Sequence, residues 1–520
     1  MANNIPNVLV FSVNGNIPRE TVRTILKEME SNGHFAHMCL LGRKGEALDS
    51  ALNEFKSGAV NYKSMDVAAV FERTNQNGDV EPNLVTWDPN TINTNATFKE
   101  QAKTGSLAVI AGGAPRKKQK DGSFPDRIDL VDENAPMVIQ MVTALVESGF
   151  DLRTSKILVS ANPLEEMTEL AEKTARDVWE KMHGNTDDLP EFVAVGMGGT
   201  LDEARYRVHL TDEINAALRR NNVEGVRLIS SQVEAHVLGA HTGADMYPNS
   251  KSIKIILPNG EKIPLGDFLD QHKIGTELDT ILSKSEAKTR PEGENIGKAL
   301  DRTTFFPPGE RNGELAAALL WGEPHEVTAS VRHTLKGVTA TQGARVVLSS
   351  QGAHVSPEWL EAASQDDAII ASIGKNKVTK NLADSSERAS LLPQMNELLQ
   401  GAEIETRSIA EREKVLLRGE TKPDGEGDIR VGTITMTGKN STTIDAVRES
   451  ITKLLRLTPN AKLPNGGIAT IDTDNDSIIF PIANDIRMEK VTAIAKTAGI
   501  TVKNASWAVG VKPADIQVGD

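Results

Sequence analysis

A chain of 520 residues with 39% hydrophobic and 25% charged content is too long for one core, so about three ordinary domains are expected. Its formal net charge of −14 argues against a general nucleic-acid binder, because phosphate neutralisation needs clustered cations. Nothing in it reads as a transmembrane segment, which would take about 18 consecutive apolar residues.

The N-terminus, MANNIPNVLVFSV, has no basic signal-peptide region and enters a strand directly. A turn, SVNGNIP, follows, with Gly15, Asn16 and Ile17 before Pro18, which suits the first helical position. Val22, Ile25, Leu26 and Met29 mark one face of the next helix. The second strand holds the only cysteine, Cys39, which cannot form an internal disulfide and fits a reducing, cytoplasmic compartment. It ends at Gly42 and Arg43. The Asn-, Pro- and Thr-rich NQNGDVEPNLVTWDPNTINTNATF reads as an irregular surface excursion.

Further on, AVIAGGAPRKK is a strand entering a loop with Gly112 and Arg116, and its short basic run PRKKQK reads as a solvated loop. RIDLVDEN runs from Arg127 to Asn134 at a helix start, and ILVSANP is a strand ending at Asn162. In LDEARYR, Asp202 and Arg205 share a helical face, where the carboxylate can orient a histidine and the guanidinium can fork onto a substrate carboxylate; a surface salt bridge is the alternative. VLGAHTGADMYP presents His241 in a Gly-rich loop, a fitting place for an acid/base imidazole. His236 is a rival, but it sits among strand residues.

Helices in GDFLDQHKIGTELDTILSK, PEGENIGKALD and GELAAALLWG precede strands SVRHTLKG and ARVVLSSQGAHV. Helices around ERASLLPQMNELLQG and IAEREKVLLR lead to a linker at Gly419–Asp428. Beyond it a β-α-β-β-α-β order predicts a ferredoxin-like antiparallel domain, either a structural or oligomerisation element or a small-molecule regulatory module.

Taken in order from about Asn7 to about Val355, these segments resemble the lactate/malate dehydrogenase family, and more closely its malate branch. The resemblance implies a Rossmann-type doubly wound parallel sheet (1–195), an α+β catalytic domain (196–418) and the added ferredoxin-like domain (429–520). It implies His241 as the proton donor/acceptor, Asp202 as its partner, Arg205 on the substrate 1-carboxylate and Arg127 polarising the carbonyl. Asn162 would bond the nicotinamide ribose or the substrate oxygen, and Arg116 would fork onto a distal carboxylate, favouring malate and oxaloacetate. Gly15, Asn16, Ile17, Gly42, Arg43, Gly112 and Asn134 fall at the cofactor side.

The departures fall there too. Of the Gly-rich turn only Gly15 survives, with Ser12 and Pro18 at the other glycine positions. Gly42 stands where an NAD enzyme usually has an Asp for the ribose, and Arg43 could accept a 2′-phosphate or be a solvated loop residue, so the cofactor is NAD or NADP. A homo-oligomer, as a dimer, is expected, with no nucleic acid or membrane as partner. The reading is an NAD(P)-dependent 2-hydroxyacid dehydrogenase; the alternative is a dehydrogenase-like scaffold or assembly subunit without turnover.

Overall fold

The strand β1 (Asn7–Phe11) is buried along its whole length, as an apolar run must be when a parallel sheet is covered on both faces. It opens an alternation: α1 (Asn16–Asn32), β2 (His37–Gly42), α2 (Glu46–Gly58), the single turn α3 (Val67–Val70), a hairpin of β3 (Glu72–Thr74) and β4 (Val80–Pro82), then β5 (Leu84–Thr86). It continues through α4 (Ala96–Lys103), β6 (Leu107–Ile110), α5 (Val131–Glu147), β7 (Lys156–Val159), α6 (Leu164–His183) and β8 (Ala194–Gly196). After the long α7 (Gly198–Arg220) come β9 (Val233–Gly239), β10 (Met246–Ile256), β11 (Lys262–Pro264), α8 (Leu265–Gln271) and α9 (Leu278–Thr289). Then follow α10 (Phe306–Trp321), β12 (His325–Leu335), β13 (Val338–Ser349), β14 (Gly352–Val355), α11 (Pro357–Ser364) and α12 (Asp367–Gly374).

This computed structural model describes residues 5–43, 46–58, 65–74, 77–89, 91–114, 130–241, 246–292, 295–296, 305–374, 377–378 and 380–383, and the backbone of four strands beyond them. The chain divides into two compact units, Met1–Asn381 and Leu382–Asp520.

In the first unit the strands β5-β2-β1-β6-β7-β8 lie side by side, every neighbouring pair parallel. Counted along the chain within this half, that is the 3-2-1-4-5-6 order of a Rossmann-type doubly wound sheet, whose ligand crevice opens at the carboxyl ends of the strands. At β8 the sheet turns antiparallel through β12, where Ser330 pairs with Gly196, and continues into β13, β9, β10 and β11. The expected face of α1 is buried: Val22, Ile25, Leu26 and Met29 pack into the core. Against α1 lies α10, whose Gly309 and Gly313 leave no room for a Cβ beside Glu20 and Thr24, while Asn312 Nδ2 donates to Thr21 Oγ1 at 3.1 Å. Cys39 is a buried core residue of β2, its thiol pushed up to about 12 by burial.

Three expectations need correction. The Asn-rich stretch expected to be an irregular excursion contains β4, β5, which is the third parallel strand, and the start of α4. β5 is only three residues long, so it has no legible period, and it is held by β2: Leu40 N donates to Asn83 O at 3.0 Å and Trp87 N to Gly42 O at 2.8 Å. One of the stretch's asparagines caps a helix, Asn95 Oδ1 accepting from Phe98 N at 2.9 Å at the start of α4. Secondly, α1 begins at Asn16, so Pro18 is not the first helical residue; it is tolerated because the first four helical N–H groups have no intrahelical partner. Thirdly, INAALRRNNVEGVRLISSQVE, which in sequence looks like an insertion between Arg207 and His241, begins as the continuation of α7 to Arg220, and Asn215 then staples the returning chain by a two-way bond to the Leu228 backbone, 2.9 Å each way.

In the second unit the described strands are β15 (Ile429–Thr437), β16 (Thr470–Asp472), β17 (Ser477–Ile482) and β18 (Thr501–Val511). Their order β16-β17-β15-β18, with every described pair antiparallel, is that of a ferredoxin-like sheet. The two helices expected there, and those around ERASLLPQMNELLQG and IAEREKVLLR, lie outside the described residues. No helix among the described residues is long and apolar enough to cross a membrane.

Candidate active site

The turn from β1 into α1 is shaped by Ser12, whose φ of 59° is the left-handed conformation that favours glycine, and whose carbonyl accepts from Gly15 N at 2.8 Å. Gly112, after β6, faces the Ser12 side chain so closely that a Cβ would collide with it. The N-cap of α1 is Gly15, with no side-chain cap and no acidic residue in the first turn. The helix therefore presents its positive end without a built-in anion, which fits a pyrophosphate. At the end of β2, Arg43 N donates to Asn14 Oδ1 at 2.8 Å, and a Cβ on Gly42 would strike that oxygen. Among the described residues, the end of β2 therefore meets the Asn14 amide and no carboxylate. The residues fit the phosphates of a dinucleotide and leave the ribose weakly provided for.

Next to this turn, the fully buried Asn134 of α5 accepts from Ala114 N at 2.7 Å and donates to Asn162 O at 2.6 Å, tying the loop after β6 to the loop after β7. Asn162 Oδ1 is buried and has no hydrogen-bond partner among the described residues. An orphaned buried acceptor costs free energy unless a donor arrives, so it suits a hydroxyl of a bound molecule. Arg116 and Arg127 lie outside the described residues.

On α7, Asp202 is 2% exposed and reaches His241, which follows β9 and is itself 8% exposed. His241 Nδ1 and Asp202 Oδ2 are 2.6 Å apart. The start of α7 fits against the histidine because it is glycine: a Cβ on Gly198 would stand 2.7 Å from His241 Cβ and Cγ. Arg205 Nη1 lies 3.4 Å from Asp202 Oδ1, and its Nε is 3.9 Å from Glu292 Oε2. His236 belongs elsewhere: its Nδ1 is 2.9 Å from Glu203 Oε1, in a cluster where Glu203 also binds Thr328 and Arg345.

Glu165 was not singled out from the sequence, where Glu165 and Glu166 look like ordinary acids of a first helical turn. Here Glu165 is 1% exposed. Its Oε1 accepts from His241 N at 2.8 Å and from Ser330 Oγ at 3.0 Å. Burial, and then the neighbouring Glu166 carboxylate, push its carboxyl up to about 8, so it is largely protonated at neutral pH. Glu292, beside Arg205 and 3.0 Å from His209 Nε2, is a second charged group that no motif announced. Among the described residues, no three His, Cys, Asp or Glu side chains gather as a metal site.

Comparison with known proteins gives the class. Residues 77–184 match the family described as lactate/malate dehydrogenase, NAD binding domain. Malate dehydrogenase of Pelagibacter ubique is 26% identical over 292 residues, 56% of this chain and 74% of that protein. L-lactate dehydrogenase 2 of Lactobacillus acidophilus is 27% identical over 221 residues, 42% of this chain and 56% of that protein. The fold is similar to that of Cryptosporidium parvum malate dehydrogenase, with a TM-score of 0.51 and 18% identity over 74% of this chain and 99% of the other. The chain is therefore similar to lactate and malate dehydrogenases, with a further C-terminal unit, and relatives of both kinds match it at similar identity.

Proposed function

We propose that this chain is an NAD(P)-dependent 2-hydroxyacid dehydrogenase that favours malate and oxaloacetate. The buried His241–Asp202 pair, 2.6 Å apart at the carboxyl ends of the strands, carries the reading. A bound nicotinamide cofactor would supply or accept the hydride. His241 Nε2 gives or takes the proton of the substrate oxygen, and Asp202 holds the imidazole by Nδ1 and stabilises the imidazolium. Arg205 takes the 1-carboxylate on the side where its pairing with Glu292 is loose. Arg127 polarises the carbonyl, Arg116 holds the distal carboxylate, and the orphaned Asn162 Oδ1 accepts from a substrate or ribose hydroxyl.

On the cofactor side, the Asn16 and Ile17 N–H groups behind Gly15 face the pyrophosphate, with Gly112 and Asn134 shaping the opposite wall and Gly42 and Arg43 at the ribose. Either NAD or NADP is accommodated. Residues 1–195 serve the cofactor, 196–418 the substrate, and 429–520 assembly, with the working form a cytoplasmic homodimer. The scaffold reading draws on one observation, the left-handed Ser12 in the phosphate turn. Steady-state reduction of oxaloacetate and pyruvate by NADH and NADPH tests the proposal: a rate that is lost in His241→Asn supports it, and no rate with either cofactor overturns it in favour of the scaffold.

A further inference from the structure

Three residues on two helices converge on His241. Asp202 of α7 holds its ring, Gly198 at the start of α7 packs against its Cβ, and Glu165 of α6 holds its backbone N–H. The Glu165 oxygen that takes this N–H also takes the hydroxyl of Ser330 from β12, so one buried carboxyl group joins α6, β12 and the histidine loop. Its other oxygen, Oε2, is buried without a partner among the described residues. Burial disfavours the ionised form of a carboxyl group in such a place, and the neutral form keeps the acceptor oxygen that holds the loop.

Resting on the acid/base role proposed for His241, we propose that Glu165 is a positioning residue for the reaction, its carbonyl-like Oε1 fixing the His241 backbone so that the imidazole meets the substrate oxygen. The group acts in its neutral form, to which burial pushes it. Its neutrality matters: an ionised carboxylate here would add a second negative charge beside Asp202 and repel an anionic substrate. What the site needs from Glu165 is an acceptor at the position of Oε1. The amide of glutamine supplies the same acceptor at the same reach, whereas aspartate is one methylene short and alanine supplies nothing.

The experiment compares Glu165→Gln, Glu165→Asp, Glu165→Ala and Ser330→Ala in the full-length protein, reading kcat and KM for oxaloacetate and the Kd of the reduced cofactor by calorimetry. Glu165→Gln is expected to keep kcat within about threefold. Glu165→Asp and Glu165→Ala are expected to lower kcat about 10- to 100-fold with cofactor Kd unchanged, since a catalytic group displaced by about 1 Å costs on that order. Ser330→Ala is expected to give a smaller loss in the same direction. If Glu165→Ala does not fold, the contrast between the Gln and Asp variants decides. A folded Glu165→Gln that loses kcat as the Asp variant does, or an Asp variant with wild-type kcat, overturns the proposal. Failure of the functional reading is separate, because it would appear as undiminished turnover in His241→Asn.

Discussion

His241 Nδ1 stands 2.6 Å from Asp202 Oδ2 across 39 positions of sequence, on two elements that approach each other only because Gly198 leaves space between them. With one ring nitrogen committed to a buried carboxylate, the ring orientation and the tautomer are set, as the proposed acid/base role requires. His236 pairs instead with Glu203, within the cluster that ties α7 to β12 and β13.

The substrate prediction rests on Arg116. The protein is expected to reduce oxaloacetate faster than pyruvate, and Arg116→Gln to lower the oxaloacetate rate at least about tenfold while sparing pyruvate, the order of one bidentate charge-assisted pair. Initial rates on both oxoacids check this. Equal losses on the two substrates would remove the distal-carboxylate role.

Cofactor binding is expected to be weak, with NADPH equal to or better than NADH. Ser12 occupies a left-handed position that costs roughly 1 kcal/mol for a non-glycine residue, and Asn14 with Gly42 offers no carboxylate to a ribose. Ser12→Gly is expected to tighten both cofactors several-fold by calorimetry. Tight, NADH-selective binding in the wild type would contradict this, as would weaker binding in Ser12→Gly.

Glu165 also predicts a pH dependence of stability. Its carboxyl is raised from 4.5 to about 8 in the folded protein, so the native state holds a proton that the unfolded chain releases. Its contribution is fully present below pH 4.5 and is lost as the pH rises to about 8, because over that range the unfolded chain ionises freely while the native state still holds its proton. Urea unfolding across this window is expected to show the wild type losing stability with rising pH relative to Glu165→Gln. Parallel pH profiles for the two proteins would refute the assignment.

Much of this architecture is legible in the residues. Val22, Ile25, Leu26 and Met29 announce the buried face of α1, the NVLVF run announces a strand, and the four described strands of the second unit pair as the β-α-β-β-α-β order predicts. The Asp202–His241 partnership is also suggested by motif, since an acid on a helix and a histidine in a Gly-rich loop are local features. What escapes is set by tertiary context. β5 is recognised only by its pairing with β2, because Val85 alone among its three residues is buried. Glu165 looks like a favourable charge at a helix N-terminus, and only the packing of β12 and the histidine loop over it makes it a buried acid.

The most direct measurement is turnover of His241→Asn with oxaloacetate, made together with its affinity for the reduced cofactor. The imidazole acts on substrate and not on the dinucleotide, so kcat is expected to fall at least about 100-fold with cofactor Kd unchanged, and Asp202→Asn to cost less. His236→Asn should leave kcat near the wild-type value. A His241→Asn protein that turns over normally, or inactivation by His236→Asn instead, would contradict the account.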